Sequence, residues 1–204
     1  MQFFYGTGNQ AKLQHMRGML ASLPIEIVGI HSALDTIPEI NESGNDPLEN
    51  AVIKATSYFN VLHAPVFSCD SGLFIEGLED SLQPGVHVRN INGKHLTDDE
   101  MLEYYSDIAK NLGGTCRARY RNAICLVLDD CHIYEHVGDD ISGEPFIISS
   151  VPHSKRREGF PLDSLSIHID SMKYYFDLKQ QRLSSASSGF LHFFQKVLCD
   201  LNYL

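Results

Sequence analysis

The sequence predicts an α/β protein built on a mixed β-sheet. Two observations carry that reading. Up to about residue 65, short apolar runs alternate with segments of helical periodicity, as β-α-β units do. Beyond Gly113-Gly114, long strand-like runs follow one another with only a turn between them, as hairpins do.

Taken in order, "QFFYG" is a first strand that stops at Gly6. "NQAKLQHMRGMLASL" places Leu13, Met16, Met19, Leu20 and Leu23 at helical spacing, and residues 25–30 ("IEIVGI") form a second strand. Pro38, Gly44 and Pro47 amid acids and asparagines make residues 31–47 a loop. "PLENAVIKATSYFNVLH" is a second helix, with Pro47 in its first turn and Asp46 as a cap. "APVFSCDSGLFIEGL" divides into two short strands around an Asp70-Ser71-Gly72 turn.

Thr97 and Glu100 make a capping box for a third helix that ends at Gly113-Gly114. "CRARYRNAICLVLDD" and "CHIYEHVGDDI" are two long strands joined near Asp129-Asp130. Residues 142–165 read as irregular, 166–169 and 173–178 as a strand pair, and "SSASSGFLHFFQKVLCDLNYL" as a closing helix whose "HFF" packs inward. No repeat or long linker divides the 204 residues, so one domain over 1–204 is expected.

Composition narrows the function classes. A net charge of −10 argues against gripping a nucleic-acid backbone, which takes clustered Lys and Arg. A small polyphosphate remains compatible with it if a divalent cation and local donors neutralise the ligand. No apolar run has the length of a membrane span, and "MQFFYGTGNQ" lacks the layout of a signal peptide, so a cytoplasmic protein is expected. The five cysteines are scattered with no Cys-x-x-Cys, which indicates neither a disulfide framework nor a zinc site. Cys125, in an apolar run, reads as a free buried thiol, and the ten histidines offer no pair at metal-ligand spacing.

Four stretches could carry chemistry, and each has a plain structural reading beside it. In "YGTGNQAKL" a strand runs through Gly6-Thr7-Gly8-Asn9 into a helix, where backbone N–H groups and Lys12 could meet an anion, or simply make a turn and a cap. Glu39, Glu42 and Glu49 precede or open the second helix and Lys54 lies along it, either as a charged site or as helix-dipole acids with a solvated lysine. Asp70-Ser71-Gly72 is a chemical group or an Asx-type turn. In "PHSKRRE", Lys155, Arg156 and Arg157 either touch a ligand or belong to a solvated loop.

The order of these stretches resembles the inosine triphosphate pyrophosphatase family, which hydrolyses non-standard purine nucleoside triphosphates. The family's Thr-Gly-Asn-x-x-Lys stands here as Thr7-Gly8-Asn9 through Lys12, and its Glu-Asn-Ala-x-x-Lys-Ala as Glu49-Asn50-Ala51 through Lys54-Ala55. Its Asp-Asp-Ser-Gly-Leu is matched by Cys69-Asp70-Ser71-Gly72-Leu73, followed by Pro84-Gly85. The second half is looser. Phe-Gly-Tyr-Asp becomes Phe160-Pro161-Leu162-Asp163, a lysine becomes Arg182, and His-Arg-Gly becomes Ser187-Ser188-Gly189. The first Asp of the Asp-Asp pair is Cys69, and the acidic pair before Gly44 reads Asn41-Glu42.

The resemblance implies an α/β fold with a long twisted mixed sheet, flanking helices and two lobes around a cleft. It implies hydrolysis to the nucleoside monophosphate and pyrophosphate, with Asp70 and Lys54 catalytic and Thr7, Gly8, Asn9, Lys12 and Ser71 on the phosphates. Mg²⁺ (or Mn²⁺) would sit on Glu42, Asp70 and Glu49. Phe160, Asp163, Arg182, Ser187 and Ser188 would hold the base, and a homodimer is expected. Two alternatives stay open: hydrolysis of a different modified nucleotide, or a nucleotide-binding module that has lost catalysis.

Overall fold

A computed structural model describes residues 1–33, 36, 38–178 and 185–203. In chain order its elements are β1 (Gln2–Tyr5), α1 (Gln10–Met19), β2 (Glu26–Gly29), α2 (Pro47–Leu62), β3 (Val66–Ile75), β4 (Asn90–Ile91), β5 (Lys94–His95), α3 (Asp98–Asn111), β6 (Thr115–Asp129), β7 (His132–Val137), β8 (Phe146–Ser149), β9 (Ser166–His168), β10 (Lys173–Tyr174) and α4 (Ser185–Asp200). Hydrogen-bonded neighbours run β10-β9-β8-β6-β3-β1-β2, with β7 also on β6 and β4–β5 a separate hairpin. The sheet is mixed and the helices flank it, as the sequence predicts.

The chain divides into two compact units, with β3 and β6 contributing residues to both. In the first unit (1–71, 121–142 and 184–204), β1 is parallel to both β2 and β3. Its alternate side chains are buried on opposite faces. Phe3 and Tyr5 join Leu13, Met16 and the α4 residues Phe190, Phe193, Phe194 and Val197, whereas Phe4 packs with Ala51, Ala55, Tyr58 and Phe59 of α2. Thus α1 and α4 cover one face and α2 the other, which is why β1 reads as a continuous apolar run. Phe193 and Phe194 do pack inward from "HFF", and Cys125 is fully buried.

In the second unit (72–120 and 143–183) β6, β8, β9 and β10 pair antiparallel. Their core gathers Leu73, Ile75, Ile148 and Leu165 with Met101 and Tyr105 of α3. The local signals held: Asp46 caps α2, and Thr97 and Glu100 form the reciprocal capping box of α3.

Three expectations are corrected. Residues 66–75 are one unbroken strand and not two strands around a turn. Gly72 serves a close approach instead: Leu73 exchanges two backbone hydrogen bonds with Gly85, and a Cβ on Gly72 would lie 3.2 Å from the Gly85 carbonyl carbon. Residues 142–165 hold the strand β8, hidden in the sequence by Pro145 and Pro152 at either side of a run too short to show alternation. After β10 the chain makes a 3₁₀ turn, Tyr175–Asp177, and the strand does not extend to 178.

Candidate active site

In the first unit the order β3-β1-β2 sends α1 across one face and α2 across the other. In open α/β sheets, such a reversal leaves a crevice beyond the carboxyl ends of the strands. Here β1 pairs with β3 only as far as Tyr5 and Phe67, and the Gly6 N–H makes a further bond to the Phe67 carbonyl at 2.8 Å. The chain then leaves for α1 while β3 continues. Asp70 lies on that continuation.

Strand alternation decides what each β3 residue meets. Val66, Ser68 and Asp70 face α2, and Phe67 and Cys69 face α1 and α4. Ser71 therefore shares a face with Cys69 and not with Asp70, so one turn does not present Asp70 and Ser71 together. The Ser68 hydroxyl, fully buried, donates to the Gly6 carbonyl at 3.0 Å and ties the β1–α1 loop to β3.

On the α2 face, Lys54 Nζ lies 2.8 Å from Asp70 Oδ1 and 3.0 Å from Glu42 Oε2. The side chains of Lys54 and Asp70 are 12% and 11% exposed, and that of Glu42 is 45% exposed. Lys54 is thus a buried partner of two carboxylates and not a solvated helix lysine. Asn50, one turn earlier on α2, donates from Nδ2 to Asp70 Oδ2 at 3.2 Å and accepts the Gly44 N–H on Oδ1 at 2.9 Å. Only glycine fits at 44, because a Cβ there would lie 2.7 Å from Asn50 Oδ1 and from Glu49 Cβ. Glu49 Oε2 accepts the Asn45 N–H at 2.7 Å, so its carboxylate folds the loop onto the helix start, and no contact joins it to Lys54 or Asp70 among the described residues.

The β1–α1 loop is organised around two side chains. Asn9 caps α1, its Oδ1 accepting the N–H groups of Ala11 and Lys12, and Thr7 Oγ1 accepts the Asn9 N–H at 3.2 Å. Both acceptors are committed to the loop, which leaves the Asn9 amino group and the Thr7 hydroxyl proton as donors. Gly8 offers its carbonyl to His31 Nε2 at 3.4 Å.

Burial and neighbouring charge set the protonation pattern. Burial pushes the Lys54 pKa down, but Asp70 and then Glu42 more than reverse this, and the net shift is upward. Lys12 is pushed down by burial and by the Lys54 charge, against weaker help from Asp70, Cys69 and Glu42. Burial pushes the Cys69 thiol up to about 12, against a hydrogen bond from Tyr5 and the charges of Lys12 and Lys54. Cys69 is therefore a neutral thiol at ordinary pH, where a second aspartate would bring another negative charge.

Phe160 and Asp163 lie in the second unit, Phe160 just before a 3₁₀ turn, Pro161–Ser164, and Asp163 within it. Leu162 is buried in that unit's core. Burial raises the Asp163 pKa, opposed by Arg157, whose Nη1 lies 3.3 Å from Asp163 Oδ2. The Arg157 guanidinium also sits over the Phe160 ring at 4.6 Å. Lys155 and Arg156 bond instead to carbonyls of Phe176 and of His153 and Lys155. Ser187, buried, and Ser188, exposed, stand at the start of α4 in the first unit. Arg182 lies outside the described residues.

A family model described as the Ham1 family matches residues 3–180. The chain belongs to the Ham1 family. It is 31% identical over 96 residues to a dITP/XTP pyrophosphatase of Vibrio cholerae, covering 47% of this chain and 46% of that one. To the dITP/XTP pyrophosphatase of Symbiobacterium thermophilum it is 32% identical over 123 residues, covering 60% and 59%. The chain thus spans about half the length of these curated relatives. Its fold is similar to the HAM1 protein of Coxiella burnetii (TM-score 0.75, 23% identity, 98% of this chain and 99% of that one). It is also similar to the Ham1 protein of Staphylococcus aureus (TM-score 0.72, 19% identity, 98% and 100%).

Within this Ham1 chain, sequence reasoning missed two contributors, Asn50 and Ser68, and the partners of a third, Arg157. Asn50 was visible as a helix position four before Lys54, the spacing that puts two side chains on one face. Ser68 lies two residues before Asp70, on the same strand face. Arg157 stood out in the basic cluster of "PHSKRRE", but its pairing with Phe160 and Asp163 had no local signal, since both follow it in an irregular loop.

Proposed function

We propose that this Ham1-family protein hydrolyses nucleoside triphosphates to the monophosphate and pyrophosphate, acting on non-standard purine nucleotides such as ITP, dITP and XTP. The observation that carries the reading is the buried Asp70–Lys54 pair, with Glu42 beside it, set where β1 gives way to α1. The relatives named dITP/XTP pyrophosphatase support the substrate class.

The chemistry follows from the charges. A triphosphate repels an anionic nucleophile, so cations must accompany it. Lys54 and Lys12 supply two, and the donors of Thr7 and Asn9 supply hydrogen bonds to phosphate oxygens. Asp70 orients the attacking water and takes its proton. The water oxygen bonds to the α-phosphorus, the α–β anhydride bond breaks, and pyrophosphate leaves with the electron pair. Asn50, bonded to Asp70 Oδ2, fixes the carboxylate plane.

No group of three His, Cys, Asp or Glu side chains forms a metal cage among the described residues. Magnesium needs only one or two carboxylates when phosphates complete its shell. Glu42 and Asp70 lie within 3.0 Å of the same Lys54 ammonium, so the two carboxylates are close neighbours with Lys54 between them. They are the residues that would hold Mg²⁺ or Mn²⁺, which when bound would neutralise developing phosphate charge.

The test is pyrophosphate release from ITP, XTP, dITP and the ordinary triphosphates with Mg²⁺. Turnover that Asp70→Asn lowers by orders of magnitude supports the proposal, and no turnover of any nucleotide at high protein concentration overturns it. One observation favours a second reading, a binding module without catalysis: the neutral Cys69 thiol adds no charge for a metal. Tight nucleotide binding without pyrophosphate release would select it. A cytoplasmic homodimer completes the proposal, with light scattering as the check on the dimer.

A further inference from the structure

The turn from Arg157 to Phe160 carries a cation that the hydrolytic chemistry above does not use. Its position is built. The Phe160 N–H donates to the Arg157 carbonyl at 3.0 Å, and the Gly159 N–H donates to Asp98 Oδ2 at 3.2 Å. Asp98 is itself held by Arg89 at 2.6 Å, and Pro161 and Leu162 are buried. On this turn the guanidinium lies over the Phe160 face and against the Asp163 carboxylate, the two groups that the family resemblance would place at the base.

We propose that Arg157 is a specificity-determining residue, its guanidinium reading the N7 and O6 acceptors of a 6-oxopurine stacked on Phe160. The inference rests on the proposed function. Its grounds are chemical. A guanidinium offers five donors in a planar fork and no acceptor, and Nη1 alone is engaged by Asp163. The remaining donors match two adjacent acceptors, the pairing that arginine makes with N7 and O6 of guanine. Adenine presents N7 beside an amino group, so the second donor of the fork meets another donor. A pyrimidine has no N7.

The present contacts of Arg157 leave it exchangeable. The side chains of Arg157 and Asp163 are 50% and 37% exposed, and ion pairs so exposed are weak and screened. A base arriving at Phe160 therefore meets a guanidinium that can slide from the ring face to the ring edge while keeping its charge beside Asp163. Lys155 and Arg156 do not compete for this role, since their contacts are backbone carbonyls in the same unit.

The experiment measures kcat/KM for ITP and ATP on the full-length protein, its Arg157→Ala and its Arg157→Lys variants. Binding constants for the same nucleotides are taken in parallel. The wild type should favour ITP. Arg157→Ala should lower the ITP-to-ATP ratio roughly 5- to 150-fold, the range of one bidentate arginine–purine pair, chiefly through the KM for ITP. Arg157→Lys should not restore the ratio, because one ammonium cannot make the two parallel bonds. A wild type indifferent between ITP and ATP, a ratio unchanged in Arg157→Ala, or one fully restored by lysine overturns the inference. An equal loss for both nucleotides does so too, since a structural or phosphate role would produce it. A wild type that releases no pyrophosphate overturns the hydrolytic reading separately, and the binding ratio then decides the role of Arg157.

Discussion

Asn50 is 2% exposed and joins the loop before α2 to the strand that carries Asp70, so its removal should be felt in both stability and activity. Asn50→Ala strips the Gly44 N–H of its acceptor, at about 1–3 kcal/mol for a buried group left unpaired. It also removes a hydrogen bond to the Asp70 carboxylate, about 1.5–3 kcal/mol for a charged acceptor. The better helix propensity of alanine returns about 0.6 kcal/mol. The net is a loss of roughly 2–5 kcal/mol, a fall in Tm of roughly 4–20 °C for a chain of this length. Urea unfolding followed by circular dichroism gives the free energy directly, and pyrophosphate release gives the activity. Asn50→Asp separates the two contacts: it keeps an acceptor for Gly44 but sets a like charge against Asp70. It should lose activity at least as far as Asn50→Ala does. An Asn50→Ala protein within 0.5 kcal/mol of wild type and fully active would refute the reasoning, since neither bond would then matter.

Other substitutions probe the same constellation. Gly44→Ala places a methyl group 2.7 Å from Asn50 Oδ1 and Glu49 Cβ, and should cost about 1–3 kcal/mol in urea unfolding; a neutral result would mean that the loop yields freely. Glu42→Gln removes a half-exposed partner of Lys54, so stability should change by no more than about 1 kcal/mol, whereas the Mg²⁺ concentration for half-maximal activity should rise several-fold. An unchanged Mg²⁺ titration would remove Glu42 from the metal site. The lowered pKa of Lys12 means that its ammonium is present at low pH and lost as pH rises through a value below the ordinary lysine range. KM for the triphosphate should climb over that window, and Lys12→Arg, which does not titrate there, should abolish the climb. The stability sign is opposite: between the folded and unfolded pKa the unfolded chain binds more protons, so this group's contribution grows with pH. A KM that is flat until the ordinary lysine range would refute the assignment.

What the sequence revealed depended on how far each signal reaches along the chain. The Asp46 cap and the Thr97–Glu100 box involve residues two or three apart, so the letters alone determine them. Asp70-Ser71-Gly72 has the letters of a turn, yet the chain stays extended there because β3 pairs with β6, Leu73 exchanges backbone bonds with Gly85, and the flanking apolar residues are buried. The glycine answers to Gly85, thirteen residues away, a contact no local rule contains. For the site, Lys12, Lys54 and Asp70 were legible from the ordered motifs. The exchange of Asp163 and Phe160 contacts with Arg157 was not, because an irregular loop carries no periodicity to betray which side chains meet.

The Cys69-Asp70 dipeptide shows why adjacent letters should not be given one role. On a strand, neighbours face opposite ways, so Asp70 belongs to the α2 face with Lys54 and Asn50, and Cys69 to the α1 face near Tyr5 and Lys12. A carboxylate at 69 would sit on the Lys12 side and would not duplicate Asp70. The thiol is neutral at ordinary pH, and burial and the Lys54 charge push the Lys12 pKa down against weaker help from Asp70. An ammonium held in that state gains most from an incoming phosphate, since the ligand supplies the charge the protein withholds. The thiol therefore moves the balance of the site toward needing its substrate's charge. It leaves the carboxylate that meets the water, with its lysine and its amide, untouched on the opposite face.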